Sequence, residues 1–260
     1  MGIGIIGFGR MGRAIAISLS GHIKGRVIAF DPDSSKIAGA GNGIIAASSL
    51  KELCEKCSVI FLCVKPKDLA GVLEGIKSFV SGQTIISIAA GKKIPFIEKM
   101  LGKKKIVRVM PNINALAGAS VNAFSCANIS AAEKEKVKEL LCGFGEAIEF
   151  EEKHFDAITA LSGSGPAFVS YFAKCLAEAG EENGLPPDES QELAILTIFG
   201  TAKLLLEKNY SCTQVMEMVT SPNGTTQAGR KILEGGRFKK AVQGAVSAAA
   251  KRSEELGKDG

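Results

Sequence analysis

Glycines at positions 7, 9 and 12 follow the apolar run 2–6 and open the helical stretch GRAIAISL, so the chain begins strand, G-x-G-x-x-G turn, helix. That order leaves few folds open. The first glycine permits a tight turn, the second lets a pyrophosphate approach the main chain, and the third lets the helix pack closely on the strand. The helix N-terminus adds amide donors and the positive end of its dipole. Alone the string is weak evidence, but a second apolar run, 26–30, ends on Asp31, where a carboxylate can accept hydrogen bonds from ribose hydroxyls. Together these features predict a dinucleotide-binding unit. Asp31 would repel a 2′-phosphate and Asp33 adds to that charge, which favours NADH over NADPH; Lys36 is the opposing charge, within reach of a phosphate.

Further short apolar runs at 59–64, 84–88 and 106–109 alternate with helical stretches, the pattern of a mostly parallel sheet covered on both faces. A strand pair is expected at 119–124 and 147–150, separated by a charged amphipathic helix over 131–144 that Ser130 and Glu133 cap. Sheets of this kind bind ligands at the C-terminal ends of their strands. Three loops qualify: Cys63-Val64-Lys65-Pro66, Ala89-Ala90-Gly91 and Met110-Pro111-Asn112. Lys65 reads equally well as a cofactor contact and as a solvated strand-end lysine. After about Glu151 apolar residues recur at three and four positions without strand-like alternation. Helices are expected over 164–183, 188–208, 213–219, 225–234 and 238–256. The fold class is therefore α/β, with a dinucleotide-binding domain over 1–151 and a helical domain over 152–260.

Two tyrosines and no tryptophan leave few platforms for stacking bases, and a net charge of +5 scattered among acidic partners reads as solvated surface. No nucleic acid partner is expected. No uncharged apolar run reaches the roughly eighteen residues of a membrane span, and the N-terminus carries no secretory pattern. A cytoplasmic protein without membrane contact is the expectation. Seven cysteines, an odd number, suit reduced thiols. Cys54 and Cys57 form C-x-x-C inside a short helix, but with His22 and His154 the only histidines and no second ligand pair, they read as structural thiols rather than a metal site.

Two polar glycine loops, 162–167 and 220–226, precede helices and would suit an anionic group such as a carboxylate, although each alone could be an ordinary helix cap. Taken with IGFGRMG, FLCVKP, SIAAG, IVRVMPN, ALSGSGPAFV and MVTSPNGTTQAG, in that order along nearly the whole chain, they make the sequence resemble the pyrroline-5-carboxylate reductase family. The resemblance implies a Rossmann-type N-terminal domain followed by an all-α dimerisation domain. Its helices would interlock with those of a second subunit in a homodimer, which in many members assembles further into a decamer. It implies reduction of 1-pyrroline-5-carboxylate to L-proline, the last step of proline biosynthesis, by hydride transfer from NAD(P)H.

By the motif match, Ser221 and the backbone at Gly224 and Thr225 would hold the substrate carboxylate, and Thr226 would act as the catalytic residue, its hydroxyl on the ring nitrogen. Ile6, Gly7, Phe8, Gly9, Arg10, Met11, Cys63, Val64, Lys65, Pro66, Ala89 and Ala90 would line the cofactor, joined by Pro111 and Asn112 from the third strand-end loop. Two departures matter. Arg10 replaces the Asn or Gln common inside the glycine loop, and Asp31 stands where many members have a small polar residue followed by Arg, against their usual NADPH preference. No histidine or carboxylate in these loops is an obvious strong acid, so the imine is expected to bind protonated or to take its proton through water. The related hydroxyacid dehydrogenases use a lysine one turn beyond a glycine loop; here Val169 occupies that position and Lys174 lies on another face of the helix. A non-catalytic dinucleotide sensor would require a degenerate substrate loop, and TSPNGTT is intact.

Overall fold

The computed structural model of the chain describes residues 2–23, 25–41 and 43–258. Packing divides them into two compact units, one running through Ser164 and resuming at Ala248, the other covering Gly165–Ser247. The change of periodicity at Glu151 thus falls short of the packing division at Ser164.

The first unit opens with β1 (Ile3–Ile6), α1 (Arg10–His22), β2 (Val27–Phe30), β3 (Ile44–Ala46), α2 (Leu50–Lys56), β4 (Val59–Leu62) and α3 (Leu69–Ile76). It continues through β5 (Thr84–Ser87), α4 (Ile94–Leu101), β6 (Lys105–Met110), β7 (Ser120–Ala127), α5 (Ala131–Cys142), β8 (Gly145–Glu149) and α6 (Phe155–Ile158). The strands form one sheet in the order β3-β2-β1-β4-β5-β6-β7-β8, parallel except between β6 and β7. β1 lies between β2 and β4 with Ile3 opposite both Val27 and Val59, so the order in which strands are added reverses at β1, the point at whose C-terminal end sheets of this kind bind ligands. Every residue of β1, β4 and β5 is buried, as a parallel sheet covered on both faces requires. One apolar core packs Phe61, Phe124 and Phe144 against α1 and α5; the other packs Ile60, Ile85 and Ile106 against α2, α3 and α4.

The expected elements form close to their expected bounds. Ser130 and Glu133 make the full capping box at the start of α5. β3 was not anticipated: it is three residues long and half exposed, so it carries neither an apolar run nor an alternation to read. Burial raises the thiols of Cys54 and Cys57 to about 11, so both stay protonated at neutral pH. Among the described residues no group of three His, Cys, Asp or Glu could hold a metal, and no helix is long and apolar enough to cross a membrane.

A partly buried ion pair ties the sheet to the segment that follows it. Arg108 on β6 donates to Glu152 at 3.0 Å and stacks 4.5 Å over the ring of Phe155, and the same Glu152 oxygen accepts the Ile94 N–H at the start of α4. The resumed C-terminal segment packs into this unit too: Ser253 donates to Asp156 at 2.7 Å, and Gly257 lies against the backbone of Gly91.

The second unit is helical, as expected, with α7 (Gly165–Glu182), α8 (Pro187–Lys208), α9 (Cys212–Met218), α10 (Thr225–Gly235) and α11 (Phe238–Lys258), whose residues from Ala248 belong to the first unit. α7 and α8 form a hairpin. Gly184 turns the chain at φ +94°, and Ser190 donates to the Ala177 carbonyl at 2.7 Å, a contact that leaves no room for a side chain at Gly180. Large apolar side chains remain uncovered, among them Tyr171, Phe199, Leu206 and Ile232, the last two 83% and 76% exposed.

Candidate active site

At the crevice beside β1 the glycines do what their spacing predicts. Gly7 adopts φ +94°, and a Cβ there would stand 2.7 Å from the Cys63 carbonyl oxygen, so the β1 and β4 loops touch backbone to backbone. A Cβ on Gly12 would lie 2.0 Å from the Gly7 carbonyl oxygen, which fixes how closely α1 approaches the turn. Gly9 is different. It has ordinary backbone angles, caps α1 without a side-chain hydrogen bond, and has nothing within 4 Å of where a Cβ would project. The first turn of α1, with Arg10 exposed and no acidic residue, thus presents free amides and a cation to open space, an arrangement that fits a pyrophosphate.

The other strand-end residues gather along the same edge. Ile6 and Phe8 are buried in the two cores, Met11 is half-buried, and the Cys63 N–H continues the ladder to the Ile6 carbonyl at 2.7 Å. Burial pushes the Cys63 thiol well above its usual range, so it remains neutral. Val64 and Pro66 are half-buried and Lys65 is exposed. Ala89 is buried, Ala90 half-buried, and Gly91 turns the chain at φ +75°. Beside them Lys92, which the sequence reading passed over, lies buried with its ammonium 4.9 Å over the Phe96 ring.

Asp31 is more heavily bonded than its position alone suggests. One carboxylate oxygen accepts the Phe8 N–H at 2.8 Å, and the other accepts the Asp33 N–H at 3.0 Å and the Lys36 ammonium at 2.9 Å. Burial alone would raise its pKa, but these donors, Lys36 foremost, outweigh burial and hold the carboxyl below the usual range.

Pro111 and Asn112 are buried at the end of β6. The Asn112 side chain accepts the Asn114 N–H at 3.2 Å and donates to the Ser162 carbonyl at 3.2 Å. The reason is the first of the two expected glycine loops, which the structure corrects. Of the loop expected at 162–167, Ser162 and Gly163 end a π-helical turn, Thr159–Gly163, and Gly165 already starts α7, so Ser164 alone lies between the two. Pro166, four residues beyond Ser162, has no N–H to offer that carbonyl, and Asn112 satisfies it instead. Gly163 sits against the Met110 methyl, which a Cβ there would meet at 2.5 Å and displace. No sequence signal distinguishes this turn from a glycine loop.

The second loop forms as expected in the helical unit. Gly224 caps α10 without a side-chain hydrogen bond, which leaves the first-turn amides of Thr225 and Thr226 open. Asn223 takes φ +60° and its N–H donates to Gln227, while the Ser221 hydroxyl lies so close to Gly224 that a Cβ there would meet it at 2.3 Å. Arg230 braces the loop by donating to Thr220 at 3.1 Å. Ser221 and Thr225 are exposed, Gly224 and Thr226 half-buried. Among the described residues the Thr226 hydroxyl has no hydrogen-bond partner.

Residues 152–256 match the family described as pyrroline-5-carboxylate reductase dimerisation, and residues 2–91 match the one described as NADP oxidoreductase, coenzyme F420-dependent. The chain is 42% identical to the pyrroline-5-carboxylate reductase of Aquifex aeolicus, over 98% of this chain and 97% of that protein. Among solved structures it resembles the NADP-bound pyrroline carboxylate reductase of Plasmodium falciparum, with 33% identity, a TM-score of 0.88 and 99% and 98% of the two chains covered. It likewise resembles the pyrroline-5-carboxylate reductase of Coxiella burnetii, with 31% identity, a TM-score of 0.92 and 98% and 97% covered.

Proposed function

Because the chain belongs to the pyrroline-5-carboxylate reductase family, we propose that it reduces 1-pyrroline-5-carboxylate to L-proline with NAD(P)H, the last step of proline biosynthesis. The observation that carries the reading is the intact TSPNGTT loop at the uncapped start of α10, in a chain whose first unit holds a nucleotide cradle. The bound nicotinamide supplies the hydride to the imine carbon. Ser221 and the backbone at Gly224 and Thr225 hold the substrate carboxylate, with the α10 dipole behind them; the Thr225 amide is the open donor, since the Gly224 N–H donates to the Ser221 carbonyl at 3.1 Å and so shapes the loop. The Thr226 hydroxyl holds the ring nitrogen. As that nitrogen loses its positive charge the hydroxyl can exchange acceptor for donor and stay in contact. The imine binds protonated or takes its proton through water, and the protein mainly positions the ring and excludes solvent.

Ile6, Gly7, Phe8, Gly9, Arg10, Met11, Cys63, Val64, Lys65, Pro66, Ala89, Ala90, Pro111 and Asn112 form the cofactor cradle in this reading, Asn112 by fixing the strand-end loop, since its backbone is bonded to Ser120 and Ala115 and its side chain to Asn114 and Ser162. Residues 1–151 serve as the dinucleotide-binding domain and 152–260 as the dimerisation and substrate-binding domain. The uncovered Tyr171, Phe199, Leu206 and Ile232 support a homodimer, since so much apolar surface on one unit calls for a partner; assembly to a decamer in the cytoplasm completes the reading.

NADH is favoured over NADPH, because Asp31 is suited to ribose hydroxyls and repels a 2′-phosphate. Asp31→Ser is expected to shift the ratio of kcat/KM for the two cofactors about tenfold toward NADPH, the scale of one hydrogen bond to a charged group. An unchanged ratio would remove Asp31 from cofactor choice.

The function is tested by following NADH and NADPH oxidation by the purified protein with 1-pyrroline-5-carboxylate and with its six-membered homologue. Fast turnover of the five-membered imine is the expected result. No turnover with either cofactor, by a folded and oligomeric protein, would shift the assignment to another imine or to a dinucleotide sensor.

A further inference from the structure

At the end of β2 one buried carboxylate meets one exposed cation. The Asp31 side chain is 7% exposed and the Lys36 side chain 47%, and the two are joined at 2.9 Å. The partners of Asp31 divide by oxygen: Oδ2 takes the Phe8 N–H and so anchors the glycine turn, while Oδ1 takes Lys36 and the Asp33 N–H. Asp33 is engaged locally, accepting from the N–H and hydroxyl of Ser35 to cap the short 3-10 turn Ser34–Lys36 that carries the lysine. Two carboxylates and one ammonium therefore meet where the adenosine ribose of a dinucleotide would lie; Asp31 is buried, whereas Asp33 and the ammonium face solvent, and the ammonium is the cation among them.

An unpaired carboxylate here would exclude a 2′-phosphate, and the cluster without Lys36 would present two negative charges to a dianion. With Lys36 in place the Oδ1 charge is matched. A lysine ammonium has three donors on a flexible stem, so it can bridge a carboxylate and a phosphate together. We infer that Lys36 is the residue that sets how far this site tolerates the 2′-phosphate: it screens Asp31 and engages the phosphate of NADPH, whereas the 2′-hydroxyl of NADH depends on Asp31 and not on Lys36. The inference rests on the cofactor reading of this crevice and deepens it. Asp31 gives a preference for NADH, and Lys36 keeps that preference from becoming exclusive. Substitution of Lys36 is also a cleaner probe than substitution of Asp31, because the Phe8 bond that holds the glycine turn is left untouched.

The test is titration calorimetry of the full-length protein with adenosine 2′,5′-bisphosphate and with AMP, which lacks the 2′-phosphate. Lys36→Met is expected to weaken the bisphosphate about tenfold or more and to leave AMP within about threefold, the loss corresponding to one charge-assisted contact. Lys36→Arg is expected to recover most of the bisphosphate affinity. Equal weakening of both probes, or an unchanged affinity for the bisphosphate, overturns the assignment. Neither probe carries a nicotinamide or requires an imine, so such a result would leave the proposed reductase activity standing. If the parent protein binds neither probe, the crevice is not an adenosine site and the inference falls with it.

Discussion

Thr226→Ala is expected to slow imine reduction about tenfold to a hundredfold, since a hydrogen bond to a charged group contributes roughly 1.5 to 3 kcal/mol and each 1.4 kcal/mol in the barrier is a factor of ten. The structure makes the result interpretable. Thr226 is the second residue of α10, its hydroxyl has no partner among the described residues, and Gly224 caps the helix without a side chain. Removing the hydroxyl therefore breaks no intramolecular bond, and alanine is the better helix former. Melting temperature and oligomeric state should match the parent, and Thr226→Ser should retain most of the rate. Steady-state kinetics at saturating cofactor check this. Near-normal turnover by a folded Thr226→Ala protein would exclude the hydroxyl from the reaction.

The glycine turn yields a second large effect, one that separates binding from folding. Gly9→Ala adds a methyl where nothing lies within 4 Å and where the backbone angles are ordinary, so the free protein should tolerate it. The same methyl stands where a pyrophosphate must approach the main chain. Overpacking of this kind costs roughly 1 to 3 kcal/mol, so NADH and NADPH should both bind about tenfold to a hundredfold more weakly with little change in melting temperature. Gly12→Ala should behave otherwise. Its Cβ would meet the Gly7 carbonyl at 2.0 Å, and that oxygen belongs to a backbone held against Cys63. α1 must move away from the turn, which should lower stability by about 2 kcal/mol or more and the melting temperature by several degrees. Thermal denaturation without ligand, beside calorimetric titration with each cofactor, distinguishes the two. Normal cofactor binding by Gly9→Ala would place the pyrophosphate elsewhere, and a parent-like melting temperature for Gly12→Ala would contradict the close packing of α1.

Much of this architecture could be read before any coordinates. Burial of both faces of a parallel strand forces continuous apolar runs, and burial of one face of a helix forces a recurrence at three and four residues; both patterns are local and appear directly in the sequence. The helices of the second unit, the capping box at Ser130 and the turn at Gly7 were legible for that reason. β3 was not, because a half-exposed edge strand of three residues imposes no such pattern. The expected loop at 162–167 instead begins inside the π-helical turn Thr159–Gly163, because Ser162 and Gly163 are the residues a loop would use and the partner of the turn, Asn112, lies about fifty residues earlier.

Asp31 shows where the division falls. Its place at the end of β2 followed from the apolar run before it, and with it came the expectation of a nucleotide crevice. What the carboxylate does depends on three donors brought together by folding: Phe8 from the neighbouring strand's turn, Asp33 from the bend that follows, and Lys36 from a 3-10 turn. The sequence by itself determined the order of elements, the glycine turn and the polar loop before α10, because each follows from periodicity or from backbone geometry within a few residues. Only the tertiary structure decided which buried polar group satisfies which, because a buried carboxylate must find its donors, and which donors it meets depends on strands adjacent in space and distant along the chain.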